Sequence, residues 1–508
     1  MKETLHCYLQ ILSPVHMGCD EVYDPTSFVL DEEAAQIFAF DPLAFIRILE
    51  QEDKEKLAAI CKKGSLISIL EIYKFLRFKS DVAKSAARRT VPVCSGFVRH
   101  YSNTLSLPDN DERRLKSDLN QFVINRTAFL PQDQRPYIPG SAIKGALRTA
   151  YLNAVVPTPR GNQPLNDKRK ELEKRLLGYK KIEEDPFRLL KVSDFRPVGE
   201  AQTRLIYAVN EKKKTSKFDA RGPYQLMEVI EPGTVFVGSI SVETPEKYAS
   251  INKPFALGPV MAAAANFYAI EKSREDSELA EIGGAPAQIP QLFQGRAIRI
   301  GRHSGAECLT IEGFRKIRIM GKGFQDSKTM DHATTLWLAS ETPKTSSKKG
   351  LSPFGWVGLN HIPHYKMQDW EKKEKAWCLD WENKITQKAA LQAEIQAKAL
   401  AEKEKQEELA IQIAREKEKL EQEEKHRQAA WEAMSPQEKD LLLVMDPATP
   451  ELQIYEIFER IDDFSPDAQV PLAKALKDCW IRANKWKKKA CSNKQWVKVQ
   501  KICKILGE

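Results

Sequence analysis

Ile138-Pro-Gly-Ser-Ala-Ile-Lys-Gly-Ala-Leu-Arg148 is the stretch from which the chain is best read. Pro139-Gly140 turns the backbone, Ser141 stands at an N-cap position, and a helix is predicted through Tyr151. The unpaired N–H groups of a helix's first turn attract an anion. Lys144 and Arg148, four residues apart, share one helix face. Gly145 leaves room for another backbone or a ribose-phosphate to come close. The segment reads as a helix that grips a phosphate backbone. It is not a Walker A loop, because Ala146 stands where that loop needs lysine. The competing reading is an ordinary capped helix with Lys144 and Arg148 in solvent.

Upstream, Leu5, Cys7, Leu9 and Ile11 alternate along a half-buried strand, Thr4 to Leu12. The turn-rich loop SPVHMGCDEVYDPTS follows, then short strands at Phe28 and Ile37. Asp41-Pro42 opens a mostly helical stretch, interrupted by a basic loop, AKSAARRTVPV. Downstream come a charged helix at 166–177, strands at Leu205–Val209 and Thr234–Val242, and a polar excursion at 211–224 between them. A small-residue helix (PVMAAAANFYAI), a linker at 283–290, a basic strand with the loop RIGRHSGAECLTIEG, and the strand FGWVGL close this part. Irregular alternation of helices with one-faced strands predicts α+β with antiparallel sheets.

From His364 to Ser435 there is neither Gly nor Pro, and Glu, Lys, Gln and Ala dominate. That pattern predicts one long, mostly solvated helix. Residues 435–508 predict a small helical domain, with helix starts at DPATPE and SPDAQVP. Between Ala473 and Lys504 stand eleven basic residues and one acid, Asp478, against a whole-chain net charge of +9. The rest of the chain is therefore near neutral, and binds a polyanion only through placed groups. Trp486 and Lys487 in NKWKKKA are candidates for base stacking and phosphate neutralisation, the competing reading being a tryptophan packed in the core.

With 508 residues, 42% of them hydrophobic, the chain is long enough for two to four domains. No apolar run is long enough for a membrane span, and no secretory signal is read at MKETLHCYLQ. Nine scattered cysteines without a CxxC pair point to reduced thiols and a cytoplasmic location. No metal site and no cofactor are predicted.

IPGSAIKGALRTAYL resembles the signature helix of the CRISPR-associated RAMP superfamily, and LSPVHMGCDEVYDPTSFVLD resembles its opening strand and loop. DPFRLLKVSDF, EVIEPGTVFVG, RIGRHSGAE and FGWVGL are further echoes, so the resemblance covers roughly residues 1–360. Within the superfamily the chain is most like subunit five of the type III-A (Csm) effector. The resemblance implies tandem ferredoxin-like (RRM-type) domains, residues 1–245 and 246–363, with a helical insertion at about 42–120 and a thumb-like excursion at 211–224. The long helix, 364–434, and the basic helical domain, 435–508, follow. It implies a non-catalytic RNA-binding scaffold that caps the backbone filament near the 3′ end of the CRISPR RNA. Other RAMP backbone subunits and small helical subunits would be partners, and target RNA an indirect one. RNA contacts fall on His16 and Gly18, on Gly140, Ser141, Lys144 and Arg148, and on Arg299, Gly301 and Arg302. Two alternatives stand beside it. One is an endoribonuclease acting through Asp20, Asp24 or His16; the other is an adaptor recruiting a partner through the C-terminal helices.

Overall fold

The computed structural model describes residues 2–107, 116–119, 122–157, 169–216, 220, 222–246, 250–288, 296–319, 327–345 and 347–508. It holds two compact units, Met1–Ala397 and Lys398–Glu508. Parts of the predicted insertion, of the 166–177 helix, of the 211–224 excursion and of the 283–290 linker lie outside the described residues.

The first unit is built on two curled, mostly antiparallel sheets. In one, the opening strand Lys2–Ile11 pairs with Val235–Glu243 on one side and with Trp356–His361 on the other. Arg296–Arg299 extends the Trp356 side, and Leu190–Val192 the Val235 side. The predicted alternation places Cys7, Leu9 and Ile11 in the core. The helices Gly140–Val155 and Leu257–Ile282 contribute Ile143, Leu147, Ala150, Val260, Ala264 and Tyr268 to that same core. The second sheet has the hairpin Thr203–Lys212 and Gln225–Ile230 at its centre. Thr335–Ser340 flanks it on one side, Ile124–Thr127 and Gly18–Tyr23 on the other.

This is the α+β architecture expected, but its two halves are not sequential. Each sheet takes strands from both sides of residue 245, so a boundary at 245/246 would cut both. Antiparallel pairing does this readily: FGWVGL lies beside the opening strand because its Leu359 faces Leu9. The basic loop AKSAARRTVPV is also corrected. Ser80–Ala86 is a helix, and Ala87–Pro92 is a strand that completes a small sheet with Phe28–Asp31 and Gln36–Phe40. Its Val91 is fully buried, as β-branched residues favour.

The long helix spans His364–Ala433. From residue 401 to 433 it is exposed throughout. One face of its N-terminal part is docked on the rest of the first unit. Trp370 packs edge-on to Tyr8, with ring centres 5.2 Å apart. Lys388 donates to the Ala87 carbonyl at 2.7 Å. This helix covers the face of the opening strand that carries Tyr8, opposite the face that carries Cys7 and Leu9.

In the second unit, four helices enclose Val444, Ile457, Phe458, Leu472, Leu476, Trp480, Val499 and Ile502. They span Pro436–Met445, Glu451–Glu459, Pro466–Arg482 and Asn493–Leu506. Ser435 and Glu438 form a capping box, and Ser492 caps the last helix.

Candidate nucleic-acid interface

Two loops nearly 300 residues apart in sequence meet at the edge of the second sheet. Val15 bridges Ile230, and the His16 ring is 1% exposed with Nδ1 2.7 Å from the Glu228 carbonyl. Burial pushes the His16 pKa down, the Glu228 carbonyl opposing and Arg302 reinforcing that shift. The His16 carbonyl accepts from the Arg302 N–H at 2.9 Å. Gly301 makes this approach possible: it lies at φ +83°, and a Cβ there would fall 2.6 Å from the His16 oxygen. The outer surface of the junction carries Gly18 and Arg302, both exposed. Arg302 Nη1 lies 3.5 Å from Asn125 Oδ1 on the neighbouring strand. Arg126 sits on the Phe129 ring at 3.3 Å, with its Nη1 3.8 Å from Glu21.

Asn125 Nδ2 donates to the Leu226 carbonyl at 3.1 Å and Arg126 Nη2 to Gln134 Oε1 at 2.6 Å, so the ridge of Gly18, Asn125, Arg126 and Arg302 offers an outside phosphate the open backbone at Gly18 and the exposed Arg302 guanidinium. Such a set positions phosphates without reading bases. Asn125 and Arg126, the two central residues of the short strand Ile124–Thr127, were not anticipated from sequence.

The signature helix begins at Gly140 with Pro139 at the N-cap, so Ser141 lies inside the first turn and does not cap it; nor is that turn left open to an outside anion. The Gly140 N–H donates to Asp194 Oδ1 at 2.8 Å. Ser141 is exposed and Gly145 has open space around it. The two cations of this helix are engaged internally. Lys144 Nζ donates to the Leu190 carbonyl at 2.8 Å; burial lowers its pKa, with Lys191 adding to the effect. Arg148 pairs with Asp185 at 2.9 Å and Glu173 at 3.1 Å. The picture of Lys144 and Arg148 as a free face is corrected accordingly: both brace the segment that follows the helix.

Arg299 requires a stronger correction. It is 2% exposed, pairs with Glu275 at 2.6 Å and donates from Nε to the Phe354 carbonyl at 2.9 Å. Trp356 Nε1 donates to the other Glu275 oxygen at 2.6 Å. A guanidinium closed in on this way does not touch a phosphate. Sequence reading could not separate it from Arg302, three residues on and exposed, because strand alternation breaks down at Gly301.

Asp20 is an exposed residue at φ +58° in an irregular stretch of the Gly18–Tyr23 strand. The Asp24 carbonyl accepts from the Ser27 N–H at 2.9 Å, closing a turn. Among the described residues no group of three or more His, Cys, Asp or Glu side chains is placed to hold a metal ion. No described helix is long and apolar enough to cross a membrane.

In the second unit Trp486 is half-buried against the core, with Lys477 Nζ 5.7 Å from its ring centre. Its candidacy for base stacking is corrected, since the ring already has neighbours. Lys487 is exposed.

The sequence model of the RAMP superfamily matches residues 8–281. The chain belongs to the RAMP superfamily. The RAMP match includes the His16–Gly18 loop and the signature helix, and stops short of Arg299–Arg302. The CRISPR system Cms protein Csm5 of Methanocaldococcus jannaschii is 26% identical over 260 residues, 49% of this chain and 55% of that protein. The protein of the same name from Streptococcus thermophilus is 26% identical over 260 residues, 48% of this chain and 65% of that protein. The chain thus matches less than two thirds of the length of these relatives. Among solved structures, a chain of a Csm–crRNA–target RNA ternary complex from a type III-A CRISPR-Cas system aligns with a TM-score of 0.46 at 18% identity, covering 70% of this RAMP chain and 100% of that one. T. onnurineus Csm5 aligns with a TM-score of 0.41 at 18% identity, covering 69% and 99%.

Proposed function

We propose that this RAMP protein is a non-catalytic, RNA-binding scaffold subunit of a type III-A CRISPR ribonucleoprotein. In this reading it caps the backbone filament near the 3′ end of the CRISPR RNA and supports assembly or maturation of the particle. Its partners are the CRISPR RNA, other RAMP backbone subunits and small helical subunits, with target RNA reached indirectly. The observation that carries the reading is the ridge of Gly18 and the exposed Arg302, with Asn125 beside Arg302 on the neighbouring strand. It offers donors to a phosphate backbone on a rigid sheet edge, beside a loop that a RAMP signature predicts.

The scaffold reading is favoured over an endoribonuclease by the placement of the acid and base candidates. A general acid must reach the leaving oxygen, directly or through one water. The His16 ring is instead enclosed and bonded to a main-chain carbonyl. Asp20 and Asp24 are exposed turn and strand residues.

The deciding experiment is the native mass of the assembly co-purified with the protein, with and without Arg302→Glu. The expected result is an RNA-containing particle that forms poorly with the variant. A particle with full RNA content despite Arg302→Glu would displace the ridge as the RNA contact. Asp20→Ala combined with Asp24→Ala should leave every target-RNA cleavage product in place; loss of one specific product from an intact particle would make this subunit a nuclease.

A further inference from the structure

The second unit has a charge arrangement that the sequence total conceals. Residues 435–508 contain thirteen basic and eleven acidic side chains, so the unit as a whole is almost balanced. The balance is local. Lys477 pairs with Glu508 and Lys485 with Glu451. Lys498 and Lys501 pair with Glu459 and Asp462, each at 2.5 Å. Four of the basic residues between Ala473 and Lys504 are thereby neutralised by acids of the same unit. Arg482, Lys487, Lys488, Lys489 and Lys494 have no acidic partner among the described residues, and all five are exposed. They cluster in and around one turn, residues 483–492, between the last two helices. No Asp or Glu occurs from residue 479 to 507.

We propose that this turn is a second nucleic-acid surface, separate from the ridge of the first unit, and that it takes the phosphate backbone of single-stranded RNA without reading sequence. Lysine is a hydrated point charge on a flexible stem, which suits phosphate neutralisation better than shaped recognition. Protein interfaces draw their binding energy from aromatic and apolar anchors in desolvated pockets. The one aromatic ring of this turn, Trp486, is directed into the unit's own core and leaves the lysines alone at the tip. The ion-paired lysines behind the turn hold its base in place and are not free to exchange counterions with RNA.

This division between free and paired lysines makes the test specific. Full-length protein is titrated into a labelled 20-nucleotide oligouridine across a salt series. Lys487→Gln, Lys488→Gln and Lys489→Gln together should reduce the slope of log affinity against log salt by about 2, at roughly 0.7 per phosphate contact on a single strand. Lys498→Gln with Lys501→Gln removes two formal charges and should change the slope by much less than the roughly 1.4 that two free lysines would supply. Circular dichroism of each variant should match the parent, because all three turn lysines are exposed. An unchanged slope in the triple variant, or an equal loss in the paired-lysine variant, overturns the proposal. Loss of poly-glutamate binding with RNA binding intact would also overturn it, assigning the turn to an acidic protein. Arg302→Glu is run alongside: if the ridge is not an RNA contact, that variant is silent while the triple turn variant still lowers the slope, so the two readings fail separately.

Discussion

Arg135 and Glu374, 239 positions apart, meet in a two-pronged ion pair with N–O distances of 2.7 and 2.9 Å. The same guanidinium donates to the Gly199 carbonyl at 2.9 Å and lies 3.5 Å from the Trp377 ring centre. The Gly199 N–H donates to Glu374 Oε2 at 2.8 Å. This joint fastens the long helix to the segment that leads into the signature helix. Burial disfavours the charged form of Glu374, yet hydrogen bonds from Arg135 and the Gly199 N–H outweigh it and hold its pKa below the usual carboxylate range. Glu374→Gln should loosen the joint, since a neutral amide replaces a charge-assisted fork. The expected outcome is faster amide exchange over residues 366–388 with no change at the signature helix. Exchange unchanged over 366–388 would mean that Trp370 and its apolar neighbours hold the helix alone.

A lowered carboxylate pKa stabilises the folded state above the unfolded-state value and loses that contribution as pH falls through the folded value. The Glu374 joint should therefore open on acidification below the ordinary carboxylate range, and the Gln variant should lack this acid sensitivity in the same exchange experiment.

How much of this was legible in advance depends on the range of the interaction. The opening strand, the signature helix and the helix starts at DPATPE and SPDAQVP follow from local period and cap chemistry, and the structure has helices from Glu451 and Pro466. The docking of the long helix was not legible. Trp370, Glu374 and Trp377 look like scattered residues on a polar helix until Tyr8 and Arg135 are brought beside them. The same holds for charge: counting lysines from 473 to 504 gave a uniformly basic tail, because Glu451, Glu459 and Asp462 neutralise it from earlier helices. Of the candidate site residues, His16, Gly301 and Arg302 converge in the fold. Arg299 and Arg148 were chosen for their charge, and that charge is consumed by internal carboxylates that sequence spacing does not reveal.

Arg299 supplies a second prediction. Its partner Glu275 is fully buried, so Glu275→Gln leaves a guanidinium without a counter-charge in the core. Breaking a buried pair in this way costs about 3–5 kcal/mol. The melting temperature of the first unit should drop sharply. Arg302→Gln, three residues away but exposed, should leave it almost unchanged. Comparable melting of the two variants would contradict the assignment of Arg299 to the core.

The two glycines of the signature helix should respond in opposite ways. A Cβ at Gly140 would sit 2.4 Å from the Val192 carbonyl oxygen and 2.6 Å from that of Ser193, both main-chain atoms. Gly140→Ala must displace the helix start and should destabilise the first unit. A Cβ at Gly145 meets nothing within 4 Å. Gly145→Ala should raise stability by about 0.8–1 kcal/mol, the usual gain from alanine in a helix interior. If RNA backbone passes over this exposed turn, the same change should weaken RNA binding while the protein becomes more stable. A more stable variant with unaltered affinity would remove Gly145 from the RNA path.

The last prediction concerns acid and the junction loop. His303 stacks on Trp337 with ring centres 4.5 Å apart, and its Nε2 lies 3.2 Å from Gln225 Oε1. Burial, then Arg302, His16 and Arg299, push its pKa from 6.5 down to about 3. Between those values the unfolded chain takes up a proton that the folded chain refuses. Stability from this group is complete above pH 6.5 and is lost as pH falls toward 3. One proton of difference corresponds to about 1.4 kcal/mol per pH unit. His16, with its pKa also lowered by burial, acts in the same direction. Asparagine tolerates the left-handed backbone at position 303, where φ is +64°. Urea unfolding of His303→Asn, followed by tryptophan fluorescence at pH 7.5, 6 and 5, should therefore show a shallower decline in stability than the parent. Parallel declines would mean that the imidazole is not held neutral in the fold. Glu307 does not supply a decline over this pH range. Burial opposes ionisation of Glu307, but Lys213 outweighs it and brings its pKa to about 2, so its contribution is lost only at lower pH.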